Sequence, residues 1–270
     1  MADAPRFFVA ITTCDRPAML ADLLAQLRAA SFRYPNLEVA VFDDASRTPF
    51  IETPAGADLF RHPAWSYYLA TERRGKPGFW ATWNRLLGAF RASEATHLVT
   101  LPDDCAISDW FLDVIEGAMC SGPWRGRADG GRTRFHGVEA LNTHVDGRNV
   151  TGCWGTGKPV RTGWAVQMPE GELPPVGLER VGWLDGFNAL SRKAVSHIGT
   201  LDPIMRSWNT RPQLGSGVGA QIGARLRAGG VVVYGLTHSI VKHLGVESVM
   251  NPAARRAAPL TTLRFLDDCR

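Results

Sequence analysis

The chain has 270 residues, 45% of them hydrophobic, with 30 Lys plus Arg against 26 Asp plus Glu. A net charge of +4 at this length excludes a polybasic nucleic-acid binder, and the apolar content suffices for one large α/β domain, or one and a half. Five cysteines without Cys-x-x-Cys spacing argue against a disulfide framework or a structural zinc site and fit a reducing cytoplasm. The apolar run after Arg6 ends by Thr12, too short for a secretory signal, and no window approaches the roughly 18 apolar residues of a membrane span. The expected location is cytoplasmic.

Phe7 to Ile11 reads as a buried strand running into Thr12-Thr13-Cys14-Asp15-Arg16-Pro17. Leu20, Leu23, Leu24 and Leu27 follow at helical spacing, which predicts a helix over 18–30 with one apolar face. Asp15 is the expected N-terminal cap, and Pro17 fits a first turn. A helix start there offers free N–H groups to an anion, and Arg16 adds a charged fork. Leu37 to Phe42 reads as the second strand, with Asp43 and Asp44 after it, where a carboxylate can accept from a ribose or base. Residues 49–63 read as loop, and 65–70 as a third strand. A basic loop, Glu72 to Gly78, opens a helix whose apolar positions are Trp80, Trp83, Leu87 and Phe90. Lys76, Arg73 and Asn84 are site candidates because they lie at or near that helix start.

The stretch His97-Leu-Val-Thr-Leu-Pro-Asp-Asp-Cys-Ala-Ile107 organises the chain. Its apolar run has the length of a buried strand and delivers Asp103 and Asp104 at the strand's carboxyl end. Open α/β sheets bind ligands at that edge, and two hard oxygen donors suit Mg²⁺ or Mn²⁺, which in turn binds nucleotide phosphates. A polar turn is the alternative reading of the same pair. Strand and helix alternate up to this point, which predicts a mostly parallel sheet flanked by helices.

Residues 121–166 differ in composition, with seven basic side chains against three acidic ones and three tryptophans, Trp124, Trp154 and Trp164. The stretch reads as a basic insertion suited to an anionic acceptor; a solvated loop is the alternative. Leu190 to Val195 begins a short helix, and 207–217 reads as loop. Val218, Ile222 and Leu226 mark a helix stopped by Gly229-Gly230. Residues 231–234 form the last predicted strand, and the tail after Pro252 reads as a surface extension.

Four segments together resemble GT-A-fold glycosyltransferases that use nucleotide sugars. Ala10 to Arg16 resembles the first strand and loop of the family 13 N-acetylglucosaminyltransferases. Val41-Phe-Asp-Asp-Ala-Ser46 resembles the Val-Asp-Asp-Gly-Ser segment of family 2. Leu101-Pro-Asp-Asp-Cys105 with Ser108 to Phe111 resembles the family's acidic metal motif and the helix after it. His243-Leu-Gly-Val-Glu-Ser248 resembles a His-x-Gly-x-x-Ser loop whose histidine completes the metal shell.

The resemblance implies a Rossmann-like GT-A sheet with a nucleotide-sugar half at 1–108. It implies an acceptor half at 109–252, containing the insertion, and a tail at 253–270. It implies a Mn²⁺ or Mg²⁺ ion held by Asp104 and His243, and a UDP-sugar donor bound by Arg16, Asp43, Asp44 and Asp103. Thr12 at the end of the first strand, and Lys76 and Asn84 at or near a helix start, are further donor-site candidates by their position. The implied reaction is hexosyl transfer to a hydroxyl acceptor. The basic, Trp-bearing stretch at 121–166 points by its own composition to an anionic one, a glycan first and a hydroxymethylated DNA base as the alternative.

Two departures stand out. Pro102 occupies a position that is usually acidic. The segment 215–226 also lacks the carboxylate that inverting members use as a base. Asp185, in a stretch resembling the acceptor-side Gly-Trp segment, is the remaining candidate base, with Asp202 and Glu247 as further options. A nucleotidyltransferase is the alternative enzyme class, although Thr12-Thr13-Cys14-Asp15 lacks its glycine-rich basic signature. A nucleotide-sugar or glycan-binding protein without catalysis is the non-enzymatic alternative.

Overall fold

The computed structural model describes residues 5–120, 124–128, 131–135, 138–144, 160–165, 176–181, 184, 186–203, 217–244 and 265–269. The amino-terminal elements are β1 (Phe7–Thr13), α1 (Pro17–Ser31), β2 (Glu38–Asp43), α2 (Pro54–Leu59), β3 (Trp65–Leu69), α3 (Gly75–Ala92) and β4 (His97–Pro102). After them come β5 (Cys105–Ile107), α4 (Phe111–Met119), β6 (Trp124–Ala128), β7 (Gly131–Phe135), β8 (Ala140–Asn142), β9 (Val160–Ala165) and β10 (Gly177–Arg180). The described elements of the last third are β11 (Asn188–Ser191), α5 (Arg192–Ile198), α6 (Val218–Ala228), β12 (Val233–Leu236) and β13 (Val241–His243).

Nine strands form one sheet in the order β3-β2-β1-β4-β11-β8-β12-β10-β9. The first four are mutually parallel. β11 and β10 run against the other seven, which share one direction. The predicted α/β class and mostly parallel sheet are what the chain adopts. The sheet joins residues on both sides of position 108, because β4 pairs directly with β11.

Alternation along β1 shows how the sheet is buried on both faces. Phe7, Val9 and Ile11 enter one apolar cluster; Phe8 and Ala10 enter the other. The first cluster takes in Leu20, Leu23, Leu24 and Leu27 of α1 and the apolar residues of α4. The second takes in Trp83, Leu86, Leu87 and Phe90 of α3, with residues of α5 and α6. The four leucines of α1 are fully buried, each contributing about 2 kcal/mol by area removed from water. Helix, sheet and helix therefore stack as three layers.

Several elements differ from the sequence reading. Residues 49–63 are not all loop: a 3-10 turn at Phe50–Glu52 leads into α2, which Thr53 caps by accepting from the Gly56 N–H at 3.1 Å. A six-residue helix is too short to show an apolar period, so its pattern was silent. Asp15 is not the cap of α1. Arg16 takes that position, and Asp15 lies in the left-handed region with φ 54°. Leu190 and Ser191 belong to β11, and the helix begins at Arg192, with Ser191 accepting from the Ala194 N–H. The last strand of the main sheet starts at Val233, two residues later than expected.

The stretch 121–166 is not simply appended to the sheet, since its strand β8 sits inside it between β11 and β12. The end of the tail is anchored too. Phe265 and Leu266 are buried, and Asp267 accepts from the Ser108 hydroxyl at 2.7 Å. The predicted loop at 207–216 lies outside the described residues.

Candidate functional site

The parallel strands end flush. Register places Thr13 of β1 beside Asp43 of β2, and Thr12 beside Pro102 of β4. The polar residues that follow each strand are therefore delivered to one edge, where open α/β sheets bind ligands. The Asp103 N–H bonds the Thr12 carbonyl at 3.0 Å, which ties the acidic pair to β1.

Asp103 and Asp104 are both 3% exposed. Arg16 bridges them through a single nitrogen: Nη1 lies 2.9 Å from Asp103 Oδ1 and 2.7 Å from Asp104 Oδ2. Thr13 donates its hydroxyl to Asp103 Oδ2 at 2.7 Å. Burial pushes Asp103 up to about 6, against the downward pull of Arg16 and Thr13. Burial disfavours the Arg16 cation, yet the two carboxylates outweigh it and raise its pKa.

His243 reaches the same point from far along the chain. β13 pairs antiparallel with β5, setting His243 opposite Cys105, and the Leu244 N–H bonds the Asp104 carbonyl at 2.9 Å. The buried imidazole places Nε2 at 3.6 Å from Asp104 Oδ2. A carboxylate oxygen and an imidazole nitrogen so disposed are a donor pair for a divalent cation. Among the described residues, no three His, Cys, Asp or Glu side chains group closely enough to form an all-protein metal site. A carboxylate paired with an imidazole suits Mn²⁺ better than the oxygen-preferring Mg²⁺, and an ion with so few protein ligands would complete its shell from substrate phosphates and water.

The second-strand carboxylates are held differently. Asp43 Oδ1 accepts from the Ser46 N–H at 2.7 Å, and the other oxygen takes the Tyr67 hydroxyl. Asp44 accepts from the N–H groups of Arg74 and Gly75, at 3.0 and 2.7 Å, and so caps the start of α3. Lys76, half-buried in the first turn of that helix, has its ammonium pKa lowered by desolvation. Arg73 binds the carboxylate of Asp15, whose N–H bonds the Ser46 hydroxyl. Two non-glycine residues here have positive φ, Asp15 at 54° and Ala45 at 55°, so both loops bordering the edge hold strained backbone.

Asn84 does not join this group. Its amide nitrogen donates to the Leu201 carbonyl at 2.9 Å, and its oxygen accepts from the Leu201 N–H at 2.8 Å. These bonds tie α3 to the chain after α5. Asp202 bonds Arg225 at 2.7 Å. Asp185, Glu247 and the seven basic side chains between 121 and 166 lie outside the described residues.

The sequence reading missed His144. It follows β8 at the same sheet edge, is 2% exposed, and packs its ring 4.7 Å from Phe187. His144 and Phe187 lie 6.3 and 6.0 Å from the His243 ring, so these groups back the imidazole that faces Asp104. The signal was a short apolar strand ending in Asn142-Thr143-His144, the same strand-then-polar pattern as Asp103-Asp104. The basic composition around it obscured that pattern.

No family model matches the sequence, and no curated protein sequence matches it. Solved structures do resemble it. S. aureus TarS, residues 1–349, aligns with a TM-score of 0.52 at 16% identity, over 85% of this chain and 60% of that one. GalNAc-T7, solved with UDP, GalNAc and Mn²⁺, aligns with a TM-score of 0.51 at 14% identity, over 90% of this chain and 44% of that one. Both are GT-A-type glycosyltransferases, and at such identity the likeness establishes the fold. The chain spans less than two thirds of the length of either. Among the described residues, no helix is long and apolar enough to cross a membrane.

Proposed function

We propose that the chain is a metal-dependent glycosyltransferase that moves a sugar from a nucleoside-diphosphate sugar, a UDP-sugar, to a hydroxyl acceptor. The observation that carries this reading is the 3.6 Å approach of His243 to Asp104 at the carboxyl edge of a GT-A sheet. UDP and Mn²⁺ in the GalNAc-T7 structure support the choice of donor and ion.

Asp104 and His243 would hold Mn²⁺ or Mg²⁺, which when bound supplies positive charge against the departing diphosphate. Arg16 and Lys76 add cations near two helix starts, and at the α1 start backbone N–H groups also favour phosphate. Asp103 and Thr12 border the donor at β1 and β4. Asp44 faces the nucleoside from the end of β2, and Asp43 holds that turn in place through Ser46 and Tyr67. Burial of the acidic pair keeps bulk water from screening these charges, so each interaction is stronger than at an open surface.

On the acceptor side, Asp185 is the residue we assign as base, taking the proton of the attacking hydroxyl. Seven basic residues between 121 and 166 favour an anionic acceptor, an acidic glycan before a hydroxymethylated DNA base.

The test is UDP release from a panel of UDP-sugars with glycan and DNA acceptors, with and without EDTA. Acceptor-dependent release that EDTA abolishes and Mn²⁺ restores is the expected result. Pyrophosphate release from nucleoside triphosphates would point instead to a nucleotidyltransferase. Donor binding without transfer to any acceptor would leave a binding protein.

A further inference from the structure

One oxygen does two jobs in this site. Asp104 Oδ2, which faces His243 Nε2 across 3.6 Å, is also the atom that accepts from Arg16 Nη1 at 2.7 Å. A guanidinium and a divalent cation on that atom would be two positive groups on one buried carboxylate oxygen, with little water to screen them. Arg16 also stands where a cation is least welcome, at the N-cap of the fifteen-residue helix α1, against the positive end of its dipole. The described contacts that offset this placement are with Asp103 and Asp104.

The surrounding loop is pinned independently of that side chain. The Asp15 N–H bonds the Ser46 hydroxyl at 2.7 Å, and the Asp15 carboxylate accepts from the Arg47 N–H at 2.7 Å. Rotation of the Arg16 side chain alone can therefore exchange its partners while the backbone stays in place.

We infer that Arg16 is an internal counter-ion that keeps free metal off Asp104 and transfers to the donor's diphosphate when metal and nucleotide arrive together. This rests on the proposed metal role of Asp104 and His243. The diphosphate brings the negative charge that the guanidinium gives up when it leaves the carboxylates. Its fork is suited to phosphate oxygens, and the α1 N-terminus, unfavourable for the cation alone, favours that anion. Metal alone displaces the guanidinium from Asp104 Oδ2 and brings no anion in exchange, so metal alone binds weakly.

The experiment titrates Mn²⁺ into the full chain, reading free Mn²⁺ by electron paramagnetic resonance, first without nucleotide and then with UDP. Arg16→Gln is expected to bind Mn²⁺ alone about tenfold tighter than wild type and to lose about tenfold in affinity for UDP with Mn²⁺. Arg16→Lys keeps the charge and is expected to hold free Mn²⁺ off nearly as wild type does. Equal Mn²⁺ affinity in wild type and Arg16→Gln, with Asp104-dependent UDP–Mn²⁺ binding intact, overturns the counter-ion role and leaves the metal site standing. Absence of Mn²⁺ binding to wild type even with UDP overturns the metal site and this inference with it. If circular dichroism shows Arg16→Gln unfolded, the Arg16 Nε–Hε resonance of wild type is followed instead. It is expected to move with Mg²⁺ plus UDP and not with Mg²⁺ alone, and movement with neither overturns the inference.

Discussion

The two ends of the sheet are built by different rules. β3, β2, β1 and β4 are neighbours that follow one another closely in sequence, each joined by a helix or turn, all parallel, with register continuous over five or six residues. β11, β8, β12, β10 and β9 come from scattered positions, run in both directions, and include strands of three and four residues. The first region gains its order from repetition of a local unit, the second from long-range pairing that costs more loop closure. The proposed site uses both. Asp103, Asp104 and Arg16 come from the repetitive region, while His243, His144 and Phe187 are brought by the scattered one.

The largest effect that can break this comparison is loss of the contact between regions. Asp104→Asn is expected to lower Mn²⁺-dependent UDP affinity on the order of 100-fold, and His243→Ala by about 10-fold or more, since each removes one of the two proposed metal ligands. Both are measured by calorimetry, with EDTA-treated protein as the reference. Unchanged affinity in both would place the metal elsewhere.

Core truncation sharpens the contrast. Leu24→Ala in α1 and Leu141→Ala in β8 each remove a fully buried side chain and are expected to cost about 3 kcal/mol. Chemical denaturation of both variants should show one cooperative transition. A second transition in Leu141→Ala would mean the scattered strands unfold apart from the parallel ones.

Asn84→Ala removes both hydrogen bonds to Leu201 and is expected to cost about 1–3 kcal/mol while leaving UDP affinity unchanged. A loss of UDP affinity without loss of stability would return Asn84 to the donor site. The smallest effect is at Ala45, held at φ 55° where the resembling family 2 segment has glycine. Ala45→Gly is expected to stabilise by about 0.5–1 kcal/mol, the left-handed penalty on alanine less the added chain entropy of glycine. Destabilisation would show that the alanine methyl contributes contacts that outweigh the strain.

Legibility followed the same division. The leucines of α1 repeat at helical spacing because one face is buried, and the strand at 98–101 is apolar because both its faces are, so each announced itself. α2 is too short to show a period. β8 offers three residues, less than alternation needs to declare itself, whereas β12 was legible from its run of valines and only its start was misplaced. Asp103 and Asp104 were readable at a strand end and Arg16 at a helix start, but their pairing was not, and the structure brings the three within hydrogen-bond distance. The other residues depended on tertiary pairing. Asn84 looked like a site residue from its place near a helix start, yet its direction is set by a neighbour 117 positions away. His144 was hidden because its strand pairs only with strands distant in sequence.

The most direct test is an anomalous difference map from a crystal soaked with UDP and Mn²⁺. The account predicts a manganese peak between the Asp104 carboxylate and the His243 imidazole, with the diphosphate beside the start of α1 and Arg16 turned onto it. A nucleotide bound away from the carboxyl edge of β1 and β4, or manganese touching neither side chain, would contradict it.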